Sequence, residues 1–183
     1  TNTGSTTKTI TVTNPDTVYS GTNTVCLSRT TDTTGSPAGA TLVTNCALDI
    51  TSLLATHMGA NKRVMLRAGQ SFELSGANAF AWNANGMTLT KFGTGANPSV
   101  NVKATASAYN FSSGITEARL FDLNHTIDAT ATGTQVVSTN GPTTQLTVIR
   151  IGVVGCGTGT AFTVNPGNGI TQHDDHDQFC LSE

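Results

Sequence analysis

The run Arg63-Val64-Met65-Leu66 decides the fold, because its apolar pattern returns in Met87-Thr88-Leu89-Thr90, where Met87 and Leu89 repeat Val64 and Leu66. In the same way Leu123 and Ile127 shift onto Ile149 and Val153, and Ile151 and Val153 shift onto Phe179 and Leu181. All three offsets are roughly 20–30 residues, which suits one coil of a solenoid. An antiparallel sandwich has no reason to keep one apolar pattern at this spacing, whereas like positions of a solenoid stack on neighbouring coils. The offsets therefore predict an all-β fold, a parallel β-helix of roughly five coils.

Short strand-like runs, separated by Gly, Asn and Pro, fill the chain from Arg63 onward. In the register of the repeat His125 lies over Ile151 and faces inward, where a histidine is more often a hydrogen-bonded interior residue than a ligand. The predicted strands are 64–66, 71–74, 80–82, 87–90, 100–102, 120–127, 135–137, 146–153, 162–164 and 179–181.

The composition indicates one folded domain with few charges. The 183 residues and the 37% hydrophobic content suffice for a sizeable core, but only 11% of the residues are charged and the net charge is −2. Such a surface has no basic face for nucleic acid. Threonine, which suits the half-buried surface of a sheet, occurs 35 times. No window reaches the roughly 18 apolar residues of a membrane span. We therefore expect neither nucleic-acid binding nor a membrane span.

The four cysteines indicate an oxidising, extracellular setting, because their number is even and the chain is poor in charge. Cys26 is followed by Cys46, and Cys156 by Cys180, each after about the length of one coil. Two local disulfides are the simplest of the three pairings, and four buried free thiols are the alternative. The spacings lack the CxxC pairs of a zinc site. We predict a secreted protein that works outside the cell or at its surface.

Residues 1–20 form a predicted threonine-rich arm. Its run Thr7-Lys8-Thr9-Ile10-Thr11-Val12-Thr13, with the assembly candidates Thr9, Ile10, Thr11 and Val12, alternates polar and apolar positions as a strand does, and Asn14-Pro15-Asp16 ends the pattern. A lone strand pairs either within its own subunit or with the open edge of another.

Residues 21–183 form a single predicted β-helix domain. It starts with a loop-rich segment at 21–44, continues with a helix at about 46–58 and then with coils at about 61–183. The helix is indicated by an apolar face, a cap and a stop, which are Ile50, Leu53, Leu54 and Met58, then Thr44 or Asn45, then Gly59.

Three segments carry a family resemblance. They are Lys62-Arg63-Val64-Met65-Leu66-Arg67-Ala68-Gly69-Gln70-Ser71-Phe72, Met87-Thr88-Leu89-Thr90-Lys91-Phe92-Gly93 and Leu123-Asn124-His125-Thr126-Ile127-Asp128. They resemble coils of right-handed parallel β-helix proteins of the pectate-lyase-like class, over roughly residues 45–183. The resemblance implies that the predicted helix caps the N-terminal end of the solenoid. It implies no single activity, because this fold carries lyases, hydrolases, tailspikes, adhesins and structural fibres.

A pectate-lyase-like site would need carboxylates that converge on calcium, and an Arg or Lys as the base. The central carboxylates are Asp122 and Asp128, and the cations are Arg119 and Arg150. Asp122 and Arg150 flank inward apolar residues, so both reach one outer face. We predict no catalytic residue and interpret the two as surface charges; a catalytic pair Asp122 and Arg150 is the alternative. A solvated ion pair is the plainer interpretation, because one Asp and one Arg do not make a calcium site.

The densest polar cluster is His173-Asp174-Asp175-His176-Asp177. Imidazole suits zinc or copper, and carboxylate suits calcium. The spacing matches neither the HExxH helix nor the calcium-binding nonapeptide, so a solvated turn is the plainer interpretation. We predict no cofactor. The alternative is calcium or another divalent metal at this cluster, which would stabilise a contact between subunits.

The final run Gln178-Phe179-Cys180-Leu181-Ser182-Glu183 is strand-like, with nothing after it to cover its edge. An open edge is a template for another strand. The leading hypothesis is therefore a secreted, non-enzymatic structural subunit that assembles head-to-tail into a filament or adhesive appendage. The arm around Ile10 and Val12, or the edge at Phe179 and Leu181, would add to the next copy of the chain.

The alternative function is that of a carbohydrate-active β-helix. This would be a polysaccharide lyase or hydrolase fragment, or a tailspike-like domain that binds surface glycans. The family resemblance favours it, whereas the missing cluster of carboxylates argues against it.

Overall fold

The computed structural model describes residues 14–128, 135–139, 144–154, 162–163 and 169–173. These residues form an all-β fold with two short helices, α1 (Pro15–Val18) and α2 (Thr51–His57), and one 3-10 turn (Gly21–Asn23). The strands are β1 (Thr24–Leu27), β2 (Thr41–Val43), β3 (Arg63–Arg67), β4 (Ser71–Leu74), β5 (Asn78–Trp82), β6 (Thr88–Phe92), β7 (Ser99–Val102), β8 (Ser107–Phe111), β9 (Arg119–Ile127), β10 (Gln135–Thr139), β11 (Thr144–Val154), β12 (Phe162–Thr163) and β13 (Gly169–His173).

Every described strand pair is parallel. The larger sheet is curled and has the order β13-β11-β9-β6-β3-β1-β2, and β4 joins it through β7, which pairs with β9. The smaller sheet has the order β12-β10-β8-β5. Strand β9 pairs with β6 at its start and with β7 along its second half, so one long strand follows two shorter ones.

The pairing register differs from the predicted one by two residues. Val64 pairs with Leu89 instead of Met87, and Leu123 pairs with Ile151 instead of Ile149. For the same reason His125 pairs with Val153. Side chains alternate between the faces of a strand with a period of two, so a slip of two residues leaves the same side chains inward. The apolar pattern therefore cannot distinguish the two registers. The predicted match at Phe179 and Leu181 lies outside the described residues.

The core fills the space between the inward faces of the strands. Trp82 in β5 stacks on Phe111 in β8, with ring centroids 4.7 Å apart, and these two residues are register partners. Tyr109 packs edge-on against Trp82 with a centroid distance of 6.0 Å. All three side chains are fully buried. The aromatic stack ties successive strands of the smaller sheet together.

Helix α2 is shorter than the predicted helix at 46–58 and is capped differently. Neither Thr44 nor Asn45 serves as its cap; the Asp49 carboxylate accepts a hydrogen bond from the Thr51 backbone N–H at 2.8 Å. The helix buries Leu54 and packs against β5. Since β5 ends the smaller sheet, α2 covers that edge.

The predicted loop-rich segment at 21–44 contains β1 and β2, which is a correction to the sequence interpretation. Val25 and Leu27 of β1 pack in the main core, while Cys26 packs on the other face with Met65 and Phe92. A strand buried on both faces shows no alternation of polar and apolar residues, so the sequence pattern does not reveal β1. No helix of the described residues has the length and hydropathy that membrane crossing requires.

Candidate functional site

The predicted disulfide between Cys26 and Cys46 is absent, since both residues are free thiols. Cys26 faces the small outer cluster with Met65 and Phe92, whereas Cys46 packs against the main core. The two side chains therefore lie on different sides of the sheet. Burial raises the pKa of the Cys26 thiol to about 11, which leaves it a poor nucleophile at neutral pH. Cys156 and Cys180 lie outside the described residues.

Asp122 and Arg150 are neighbours on the outer surface and bind each other. Arg150 Nε donates to Asp122 Oδ1 at 2.5 Å, and Nη2 donates to Oδ2 at 2.9 Å. Both residues have a left-handed backbone, with φ of 56° and 50°. They lie between the paired positions Phe121 with Ile149 and Leu123 with Ile151 of β9 and β11. The bidentate contact occupies both carboxylate oxygens of the candidate catalytic pair.

The other candidate residues fall mostly outside the described ranges. His173 ends β13, where its backbone pairs with Ile149. The rest are Asp174, Asp175, His176 and Asp177 of the polar cluster, Thr9, Ile10, Thr11 and Val12 of the arm, and Phe179 and Leu181 of the last run. In the part of the chain that is described, no three His, Cys, Asp or Glu side chains form a metal-binding group.

Strand β2 is the end of the larger sheet on the side of the N-terminal residues. Among the described strands it pairs only with β1, through the register Val25 to Thr41 and Leu27 to Val43. Leu42, at its centre, is 47% exposed, which is a large value for a leucine in a sheet. Among the described residues, the far side of β2 is therefore a sheet edge with an exposed apolar side chain.

A cleft of about 510 Å³ lies between the segment at 15–19 and the outer face of β3, β6 and β9. Val64, Leu89 and Leu120 point into the core from these three strands. Their neighbours therefore face outward. This places Arg63 and Arg119 in one row with Thr88 between them, since Arg63 pairs with Thr88 and Thr88 with Arg119.

Arg63 is a buried member of the cleft wall. Its Nη2 donates to Asp16 Oδ1 at 2.6 Å and its Nε donates to Thr24 Oγ1 at 3.0 Å. Its guanidinium carbon lies 5.4 Å from the centroid of the Tyr19 ring, within the range of a cation–π contact. The Arg63 side chain is 5% exposed.

Tyr19 holds the second guanidinium of the cleft. Its hydroxyl accepts a hydrogen bond from Arg119 Nη1 at 2.8 Å, donates toward Gly86 O at 3.1 Å and lies 2.9 Å from Thr88 Oγ1. Arg119 Nη2 lies 3.7 Å from Glu117 Oε2, beyond hydrogen-bonding distance. The arrangement presents a positioned, partly exposed cation, which is suited to binding an anion.

Sequence reasoning named Arg119 for another role and missed Tyr19, Arg63 and Glu117 as parts of one site. One signal was present: Arg63 and Arg119 each stand directly before an inward apolar residue, at the start of β3 and β9. Tyr19 offered no such signal, because it reaches Arg119 over 100 residues of chain.

No protein-family model matches the chain, and neither the curated proteins nor the solved structures include a significant match.

Proposed function

We propose that this chain is a secreted, non-enzymatic structural subunit that assembles head-to-tail into an extracellular filament or adhesive appendage by β-strand addition. The observation that carries the proposal is the edge of β2, with Leu42 exposed at its centre. The low charge and the 35 threonines support an extracellular role. Strand addition obtains affinity from main-chain hydrogen bonds and specificity from alternate side chains.

The backbone of Leu42 is the group that would accept the added strand. The Ser28 N–H donates to Val43 O at 2.9 Å, so the polar groups of Val43 face β1. Successive residues of a parallel strand present their N–H and C=O to opposite sides. The N–H and C=O of Leu42 therefore face away from β1, toward the incoming strand.

The parallel pairing supports a head-to-tail contact. An added strand that keeps the parallel pairing of the described strands would run in the same direction as β13 at the other end of the sheet. Two different surfaces then meet in each contact, and such a contact propagates unless its rotation closes a ring. The proposed donor is the arm of another copy, where Ile10 and Val12 would set the register, or its run Phe179 to Leu181.

We also propose the finer fold, a right-handed parallel β-helix of about five coils in the pectate-lyase-like class. Its support is the repeated pairing, from β3 onward, of a described strand with one that follows about a coil length further along the chain, as in Leu146 with Ile170 and Thr88 with Arg119. A solenoid of this kind continues naturally into a stack of copies, because each coil contacts only its neighbours.

The test is the effect of edge substitutions on assembly. Leu42→Lys places a charge on the edge, and Leu42→Pro removes the outward N–H; both are expected to abolish elongation. Leu48→Lys is the matched control, since Leu48 is also exposed (36%) but is not part of β2. Sedimentation velocity and negative-stain images of the three variants and the parent chain supply the readout.

Two results would overturn the proposal. One is a parent chain that stays monomeric at every concentration. The other is elongation of Leu42→Lys at the rate of Leu48→Lys. Deletion of residues 1–13 then separates the two donors, because it stops elongation only if the arm supplies the strand.

A second candidate function, glycan binding, is favoured by a shallow groove of about 490 Å³ on the outer face of β4, β7 and β9. Its hydrogen-bonding side chains are aligned by the register, with Glu73 beside Asn101 and Asn101 beside Thr126. Asn101→Ala should reduce binding to an array of surface glycans. Equal binding by the parent chain and this variant would remove the groove from consideration.

A further inference from the structure

The cleft beside Tyr19 combines an apolar wall with a cationic one. Its apolar side includes Val18, Met65 and Phe121, of which Val18 is 51% exposed. Its cations are Arg63 and Arg119. The volume of about 510 Å³ is in the range of small-molecule sites, which are mostly apolar with a few placed polar groups.

Only one of the two guanidinium groups is available to a ligand. Arg63 is 5% exposed and is committed to Asp16, Thr24 and the Tyr19 ring. Arg119 is 33% exposed, and in the described part of the chain its hydrogen bonds, to the Tyr19 hydroxyl and to Glu117 O, both come from Nη1. Its Nε and Nη2 therefore keep donors for an incoming group.

The side chain of Glu117 indicates which group that is. Its carboxylate approaches Arg119 Nη2 to 3.7 Å, is 53% exposed and comes from a residue with a left-handed backbone (φ 57°). A ligand carboxylate in a bidentate contact at about 2.8 Å makes two charge-assisted hydrogen bonds, which this loose contact does not. Glu117 thus acts as a weak internal competitor for the same cation.

We propose that the cleft binds a small carboxylate with an apolar, flat body, such as an aromatic acid. The carboxylate binds Arg119, which the Tyr19 hydroxyl holds in place, and the apolar body packs on Met65 and Phe121. This site is separate from the edge of β2 and does not depend on assembly.

The experiment is a titration with benzoate, followed by NMR of methionine methyl groups. Met65 lines the cleft, whereas Met87 lies in the core and is an internal reference. We expect the Met65 signal to shift saturably and the Met87 signal to stay. Benzyl alcohol, which has the same body without the charge, should bind about tenfold more weakly.

Variants give the site a signature that a structural role would not produce. Arg119→Gln should weaken benzoate binding about tenfold, and Arg119→Lys should fall between it and the parent, because lysine keeps the charge but not the fork. Glu117→Gln should strengthen binding about threefold, because it removes the competitor. Arg29→Gln, at an exposed arginine outside the cleft, is the matched control and should bind as the parent does.

Three results would overturn the proposal. The first is the absence of a Met65 shift at about 50 mM benzoate, which corresponds to no useful affinity. The second is equal binding of benzoate and benzyl alcohol. The third is weaker binding by Glu117→Gln, which would show that this carboxylate helps the ligand instead of competing with it. Because Glu117→Gln leaves the Tyr19 contact intact, a folding defect of the Arg119 variants does not prevent the test.

Discussion

Two tyrosines of this protein each contact a basic side chain, one inside the curled sheet and one outside it. The hydroxyl oxygen of Tyr109, in the core, lies 3.0 Å from Nε2 of His125, and both side chains are fully buried. The hydroxyl oxygen of Tyr19, on the outer face, lies 2.8 Å from Nη1 of Arg119, and the Arg119 side chain is partly exposed. The contacts are alike in length, but the charge states differ.

Burial determines that difference. It lowers the pKa of His125 to about 4. The Gly152 backbone acts in the opposite direction and raises this pKa, but Nδ1 of the ring makes no full hydrogen bond within the described residues. Burial also raises the pKa of the Tyr109 hydroxyl far above its ordinary value. The inner pair is therefore neutral at pH 7, whereas arginine stays charged in proteins. Burying a charged group costs more free energy than burying a neutral one, which is why the inner pair is neutral whereas the charged Arg119 is partly exposed.

The largest expected loss of stability comes from a substitution in the aromatic stack of the core. Trp82→Ala should lower the free energy of unfolding by about 3–5 kcal/mol, because it leaves a cavity against Phe111. Urea denaturation measures the loss. Trp82→Phe, which keeps a ring in place, should cost clearly less, and an equal loss would mean that the stack does not stabilise the core.

The neutral state of His125 predicts a pH dependence. Because its pKa is about 4 in the folded state against 6.5 when exposed, the unfolded chain binds more protons between these values. The free energy of unfolding therefore falls as the pH drops from 6.5 to 4, by about 3 kcal/mol in total. Above pH 6.5 this contribution is fully present.

The measurement is urea denaturation at several pH values for the parent chain and for His125→Gln. The variant should lose this part of the pH dependence, and His57→Gln, at a partly exposed histidine, should keep it. Identical pH profiles for the parent and His125→Gln would contradict the neutral inner pair.

The next largest loss of stability is expected at the buried guanidinium of Arg63 on the outer face. Asp16→Asn removes the counter-charge of Arg63, which stays 5% exposed. The loss in unfolding free energy should be about 2 kcal/mol, since a charge-assisted hydrogen bond is weakened while the cation stays buried. Thermal unfolding at low and high salt measures it, and a loss that salt abolishes would place Arg63 in solvent.

The smallest effect is expected at the Asp122–Arg150 pair. Asp122→Asn should cost less than about 1 kcal/mol, because Arg150 is 53% exposed and water replaces much of the contact. Measured beside Asp16→Asn, it tests whether burial or geometry sets the value of an outer ion pair. A larger loss than that of Asp16→Asn would favour geometry, since the Asp122 contact is bidentate.

Most of the strand positions were predictable, because they rest on local alternation. Val64 and Leu66 lie in the core at a spacing of two, and the run from Leu123 to Ile127 alternates buried and exposed residues as a half-buried strand does. Strand β1 was missed because Cys26 is buried on the face opposite Val25 and Leu27. Strand β8 was missed as well, since the polar residues Ser107 and Asn110 interrupt the apolar pattern of the strand that ends in Phe111.

The register and the cleft were not predictable in the same way. Val64 stays inward whether it pairs with Met87 or with Leu89, two residues further on, so the apolar pattern fits both registers equally well. The cleft requires that β3, β6 and β9 lie side by side and that Tyr19 folds over them. None of these contacts is local in the chain.

The amino-acid sequence by itself determined that this protein is built from short strands with one face inward, because side-chain alternation is a property of each strand alone. The tertiary structure decided which residues face each other, where the cleft lies beside Arg119 and whether His125 carries a charge. Those features depend on the lengths of the connections between strands and on burial, and both arise only when the parallel strands pack side by side.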